Sequence, residues 1–134
     1  MRGRCRAPLR GLARAVAAGA CLAGGPAPAA AQEALIVCDS PGIIDGDTFR
    51  CDRALKIRLW GVDAPERNAE GGPAATRALA ELTRGQTVVC RRRGKSYDRI
   101  VAQCFVGNRD LAAELVRKGA ALDAPRFSKG RYAR

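Results

Sequence analysis

Between Leu35 and Leu59 the chain reverses direction at two short turns set among strand-forming residues, and no other feature narrows the fold as much. Leu35-Ile36-Val37-Cys38 and Ile43-Ile44 are apolar stretches split by Ser40-Pro41-Gly42, which reads as a strand interrupted by a bend or bulge. Asp45-Gly46-Asp47 is a tight-turn signal, Thr48-Phe49-Arg50-Cys51 resumes the strand, and Asp52-Arg53 turns again. Leu55-Lys56-Ile57-Arg58-Leu59 then alternates apolar and basic residues with period two, as a half-buried strand does. Strands this short and this close in sequence make an antiparallel meander.

The remainder extends the pattern. Gly61 to Gly72 has no periodicity and is rich in Gly, Asp, Glu and Asn, so it reads as loop. Pro73 suits the first turn of a helix running to about Arg84, with Ala75, Ala78, Leu79 and Leu82 on one face and Gly85 as terminator. Thr87 to Cys90 and Ile100 to Val106 read as strands, with the basic segment Arg91 to Arg99 joining them. Asp110 is placed to cap a second helix, Leu111 to Lys118, ending at Gly119. Five strands with a helix between the third and fourth predict a mainly β, α+β fold: a small OB-type barrel with two helices.

The first 31 residues stand apart from this unit. Met1 to Arg14 carries five Arg and no acid, Ala15 to Gly25 is apolar, and Ala29-Ala30-Ala31 precedes Gln32-Glu33. That order is the pattern of a secretory signal peptide, which predicts an exported protein, periplasmic or extracellular, with its domain at residues 32–134. A disordered Ala/Arg leader, or a lipoprotein acylated at Cys21, are the rival readings. No later apolar run has the roughly 20 residues of a membrane span. Of 24 Lys+Arg and 13 Asp+Glu, five Arg and no acid fall in the leader, so the remainder carries 19 bases against 13 acids, a net +6. A basic domain favours a polyanionic partner, and Arg91-Arg92-Arg93 with Lys95 forms one cluster that reads either as a solvated loop or as a phosphate-attracting rim.

Cys38, Cys51, Cys90 and Cys104 remain after the leader, an even number in a small exported domain, which predicts disulfides. Three connectivities are possible; Cys38–Cys51 and Cys90–Cys104 are favoured because each pair brackets a strand–turn–strand segment. A four-Cys zinc site is the rival, but no Cys-x-x-Cys spacing occurs. The chain has no His, which removes Ser-His-Asp and Cys-His schemes and His-ligated metals together. Catalysis would have to use carboxylates, Arg, Lys, Tyr or a metal held by oxygen.

Acids gather at two turns, Asp45 and Asp47 in one and Asp63 and Glu66 in the other. Carboxylates from distant turns can converge at one end of a barrel and hold a hard cation such as Ca²⁺. Taken alone, Asp-Gly-Asp is as readily a hairpin turn, and Asp-Ala-Pro-Glu a helix approach.

Read together, three segments are more specific. Ile44-Asp45-Gly46-Asp47-Thr48-Phe49, Ile57-Arg58-Leu59-Trp60-Gly61-Val62-Asp63-Ala64-Pro65-Glu66 and Tyr97-Asp98-Arg99 resemble, in order and separation, the signature segments of the staphylococcal nuclease (thermonuclease) family. The likeness runs from about Leu35 to Arg134 and implies a calcium-dependent phosphodiesterase acting on DNA and RNA, working as a monomer. It implies Asp47, Asp63 and the carbonyl of Ala64 as Ca²⁺ ligands, with Asp45 acting on the ion through water. Glu66 would orient or deprotonate the attacking water, and Arg58 and Arg99 would grip phosphate. Tyr97 and Lys95 are implied as substrate-binding residues, while Trp60 reads as packing.

Asp98 stands where the family has Gly, and is placed either to pair with Arg99 or to point to solvent. The chain also stops where the family's third helix would start, at Tyr132-Ala133-Arg134, which predicts a truncated helix and uncovered apolar surface. Two other readings follow: a nucleic-acid-binding barrel without catalysis, against which stand only six aromatics in the chain, and an inactive, truncated nuclease.

Overall fold

The computed structural model describes residues 24–27 and 33–134, so the leader expected at residues 1–31 lies, apart from 24–27, outside the described residues. The interrupted first strand becomes two elements, β1 (Leu35–Cys38) and β2 (Gly42–Ile43), followed by β3 (Thr48–Cys51) and β4 (Leu55–Leu59). β5 (Val62–Asp63) leads to α1 (Gly72–Thr83), then β6 (Val88–Ser96), β7 (Arg99–Val106) and β8 (Arg109–Asp110). The chain ends in α2 (Leu111–Arg117), β9 (Leu122–Asp123) and α3 (Pro125–Ser128).

The main sheet runs in the order β1-β6-β7-β4-β3-β2, with β8 on β7. β1 and β2 therefore lie at opposite ends of the sheet, yet only Asp39, Ser40 and Pro41 separate them in the chain. A flat sheet cannot meet that condition, so the sheet curls until its ends approach, as in an OB-type barrel. The Cys38–Cys51 disulfide, with 5.4 Å between Cα atoms, joins β1 to β3 across that closure. Cys90–Cys104 links directly opposed residues of β6 and β7. Both are the favoured pairings.

Period two decides what the curl encloses. Phe49, Cys51, Ile57, Leu59, Val88, Cys90, Ala102 and Cys104 point inward and are buried. Leu79 and Leu82 of α1 and Leu111, Leu115 and Val116 of α2 close the core. α2 packs on α1 and β7. Asp110 caps α2 as expected, its carboxylate accepting from the backbone N–H of Ala112 at 3.0 Å.

Three expectations change. The basic segment Arg91 to Arg99 is not a connection: β6 runs on to Ser96, and only Tyr97 and Asp98 turn the chain into β7. The pairing shifts between Arg92 and Gly94, a bulge that puts Arg93 out of register and breaks the period-two signal. The loop after Gly61 contains β5, which pairs with β9 in a two-stranded ribbon. A third helix is present as the single turn α3, and after it Tyr132 returns to the core, while Leu122 and Phe127 stay exposed as uncovered apolar surface. Tyr132 is 5% exposed and packs edge-on against Trp60, ring centroids 6.0 Å apart. Gly61 permits that approach: at φ 79°, it would bring a Cβ to 2.9 Å from the Tyr132 ring.

Candidate active site

Asp45-Gly46-Asp47 is a bend held at the mouth of the β2–β3 hairpin, where the N–H groups of Ile44 and Asp45 both donate to the Thr48 carbonyl. Gly46 lies against α1 so closely that a Cβ would stand 2.6 Å from that of Ala75. The bend is thereby pinned and Asp47 turned inward, 4% exposed. One oxygen of Asp47, Oδ2, accepts from the backbone N–H of Ala64 at 2.8 Å, joining the first acidic turn to the second. The other, Oδ1, accepts from the Thr48 hydroxyl at 3.0 Å and pairs with Nη1 of Arg58.

Arg58 is an outward residue of β4, between the inward Ile57 and Leu59. Its Nη2 reaches Asp63 Oδ1 at 3.0 Å and the Val62 carbonyl at 3.3 Å. The guanidinium thus lies between Asp47 and Asp63, with one nitrogen on each carboxylate. Burial works against its charge, but the hydrogen bonds and charge of Asp47, and then of Asp63, outweigh that and hold its pKa above the ordinary value. Asp63 sits on β5, whose backbone is fixed by β9, and its side chain faces solvent. Asp45 accepts from the Asp47 N–H at 3.1 Å. Burial first, and the charge of Asp47 after it, raise the Asp45 pKa.

Two grooves take residues from this cluster. The first, of 540 Å³, passes Arg58 and Asp63 and is walled by Trp60, Phe127, Arg93 and Lys95. Arg93 stacks 5.0 Å over the Trp60 ring and donates to Gln103, so one member of the basic run is structural. The second, of 590 Å³, passes Asp45 and Thr48 and is lined by Arg99, Tyr97 and further bases.

A model of the staphylococcal nuclease homologue family matches residues 56–133. The chain belongs to that family. It is 30% identical over 96 residues to an uncharacterized endonuclease of Haemophilus influenzae, covering 68% of this chain and 54% of that protein. A probable endonuclease, LCL3, of Clavispora lusitaniae is 38% identical over 79 residues, 51% of this chain and 34% of that protein. An uncharacterized endonuclease of Escherichia coli is 33% identical over 84 residues, 59% of this chain and 55% of that protein. The chain thus spans from a third to about half the length of these relatives.

Of the residues the nuclease resemblance singled out, Asp45, Asp47, Arg58 and Asp63 come together, with Ala64 bound to Asp47 through its N–H. Arg99 lines the second groove with Asp45, and makes no ion pair among the described residues. Tyr97 stands at the rim of that groove, 89% exposed at φ 55°, a conformation that costs a non-glycine residue about 1 kcal/mol or more. Lys95 lies on the other groove. Glu66 is exposed, and its side chain makes no ion pair among the described residues. Asp98 does not pair with Arg99; it points to solvent, 66% exposed, and there binds Lys56 at 2.6 Å. Thr48, the Val62 carbonyl and the β5–β9 ribbon escaped the sequence reading, because a hydroxyl, a carbonyl and a two-residue strand leave no local pattern.

Among the described residues no three His, Cys, Asp or Glu form a ready cluster around a metal ion, since the Arg58 guanidinium lies between Asp47 and Asp63. The donor chemistry nonetheless fits a hard divalent cation. Asp45 and Asp47 repel each other, and Asp45 has no cationic partner among the described residues. Every donor is a carboxylate or carbonyl oxygen.

Proposed function

We propose that this chain is a calcium-dependent nuclease, hydrolysing phosphodiester bonds of DNA and RNA with little sequence preference. One observation carries the reading: Arg58, lining one groove, pairs with Asp47 and Asp63, and the neighbouring acid Asp45 lines a second groove together with Arg99. Membership of a family whose named relatives are endonucleases supports it. Asp47, Asp63 and the Ala64 carbonyl would hold Ca²⁺, with Asp45 reaching it through water. Bound there, the ion would supply positive charge that offsets the repulsion between a phosphate and its attacking nucleophile.

The protein's own groups do the rest. Arg99, which makes no ion pair among the described residues, would donate paired N–H groups to the non-bridging phosphate oxygens. Arg58 would join it once its guanidinium leaves Asp47 and Asp63, both stabilising the charge that grows there. Arg suits this better than Lys, because its planar fork matches a phosphate edge. Glu66 would accept a proton of the attacking water as the new P–O bond forms, and the ester P–O bond breaks with the leaving oxygen taking a proton from solvent. None of these contacts addresses a base edge, which supports cleavage with little regard to sequence. Two disulfides support an oxidising, extracytoplasmic location. No described helix is long and apolar enough to cross a membrane. The protein would act as a monomer.

The test is digestion of single-stranded DNA by the purified protein. Cleavage is expected in Ca²⁺, none in chelator, and Glu66→Gln should lose about 10²–10⁴-fold in rate, the usual contribution of a general base. The exposure of Glu66, whose side chain makes no ion pair among the described residues, favours a second reading, a binding barrel without catalysis. Binding without cleavage in Ca²⁺ would decide for it.

A further inference from the structure

The second groove continues away from the acid cluster over the outer face of β3, β4 and β7. Arg50 is the direct partner of Lys56, and Lys56 of Arg99. Their neighbours Phe49, Cys51 and Ile57 are buried, so period two sends Arg50 and Lys56 to the outside. The three bases stand on adjacent strands, and two strand spacings carry the row about 10 Å from Arg99 to Arg50. Arg67, on the loop before α1, adds a fourth base to the groove. Four cations there face two carboxylates, Asp45 at the inner end and Asp98, which is already bound to Lys56.

We propose that this groove is a phosphate track for a single nucleic-acid strand, in which Arg50 and Lys56 hold the backbone phosphate next to the one gripped by Arg99. The inference rests on the nuclease reading and adds to it a second phosphate site. A mononucleotide phosphodiester needs only Arg58 and Arg99; the row through Lys56 and Arg50 has a use only when the chain of phosphates continues. Asp98 acts as a positioning residue: by binding Lys56 it holds the ammonium in the row and leaves Arg99 without an acidic partner. The row itself is made of cations on a rigid sheet, with Tyr97 at the groove's rim, so the row should read backbone charge and not bases.

The test is fluorescence anisotropy with a labelled oligothymidylate of about a dozen nucleotides, in chelator, over a range of salt concentrations. For the double variant Arg50→Gln/Lys56→Gln, the slope of log affinity against log salt should fall by about 0.7, the value for one lost phosphate on a single strand. A control, Arg77→Gln/Arg84→Gln, removes the same charge from exposed positions at α1, outside the groove, and should keep the wild-type slope. An unchanged slope in the first variant, or an equal drop in both, overturns the track. Cleavage of the same oligonucleotide in Ca²⁺ reports separately on the nuclease reading. Wild-type binding with a steep slope and no cleavage would remove that reading and leave the track standing.

Discussion

Asp45 is a carboxylate kept where its own ionisation is unfavourable. Burial and the neighbouring Asp47 raise its pKa above 3.8, so the charged form destabilises the folded state relative to the unfolded chain. The sign follows directly. The penalty is fully present above the raised folded pKa, and it fades as the pH falls through that value to the unfolded value of 3.8, where both states are protonated. In chelator, Asp45→Asn should therefore raise the urea midpoint at pH 7, and its advantage should vanish below pH 3.8. An advantage that persists in acid would mean the substitution acts through packing. Such a cost is expected where acids are kept for a ligand instead of for stability. At this scale the sequence was informative about residue type and silent about partners. Asp45, Asp47, Arg58 and Asp63 could be picked out from their turns and strand. That Arg58 lies between two of the acids could not, because the reach of a guanidinium depends on the angle between β4 and the β5 ribbon. The partner of Asp98 was hidden for a similar reason: Lys56 is a neighbour only through the parallel pairing of β4 with β7.

Among the elements, α2 is the most heavily tied. One oxygen of Asp110 caps the helix, accepting from the Ala112 N–H at 3.0 Å. The other accepts from the Tyr132 hydroxyl and from Gln103 Nε2, each at 2.8 Å. Burial, and then the Asp110 bond, push the Tyr132 pKa far up, so the hydroxyl stays a donor at any ordinary pH. Gln103 is 2% exposed, and no buried side-chain N or O among the described residues lacks a hydrogen bond. Asp110→Ala should therefore lose the cap, about 1 kcal/mol, and also leave Tyr132 and Gln103 short of a partner, for a total of about 2–4 kcal/mol. Urea unfolding measures the loss. Asp110→Asn should lose less, because an amide oxygen can still accept, and a cost of only a few tenths for the Ala variant would mean that water replaces the carboxylate. The cap was legible because Asp before an apolar run is a local signal. Tyr132 was not, since a Tyr among Arg, Gly and Lys looks like exposed tail until the Gly61 cavity that receives it is known. The extension of β6 through Arg91 and Arg92 escaped notice because the bulge at Arg93 breaks the alternation that would have announced it.

For the whole molecule, the sheet's curl is the property on which the site depends. The grooves exist because β3, β4 and β7 bend around the core, and that bend is set where β1 and β2, at the two ends of the strand order, meet at Ser40 and Pro41. The barrel could be anticipated from strand count and order, whereas its closure required the pairing of β1 with β6. The two disulfides separate what holds the curl from what merely shortens the unfolded chain. Their sequence separations are 13 and 14, so loop entropy assigns each about 3 kcal/mol. Their native roles differ. Cys90–Cys104 joins strands already paired along their length, while Cys38–Cys51 joins β1 to β3, which share no ladder. Replacing either pair by Ala should lower stability by a similar amount. Only loss of Cys38–Cys51 should release the sheet end, and hydrogen exchange can read this: amides of β1 should exchange faster in Cys38→Ala/Cys51→Ala while those of β7 stay protected. Because β3 carries Thr48 and follows the Asp45–Asp47 bend, the same variant should lose more of the proposed nuclease activity than Cys90→Ala/Cys104→Ala at equal stability. Equal β1 exchange in the two variants would show that the ladder with β6 closes the barrel without the bridge.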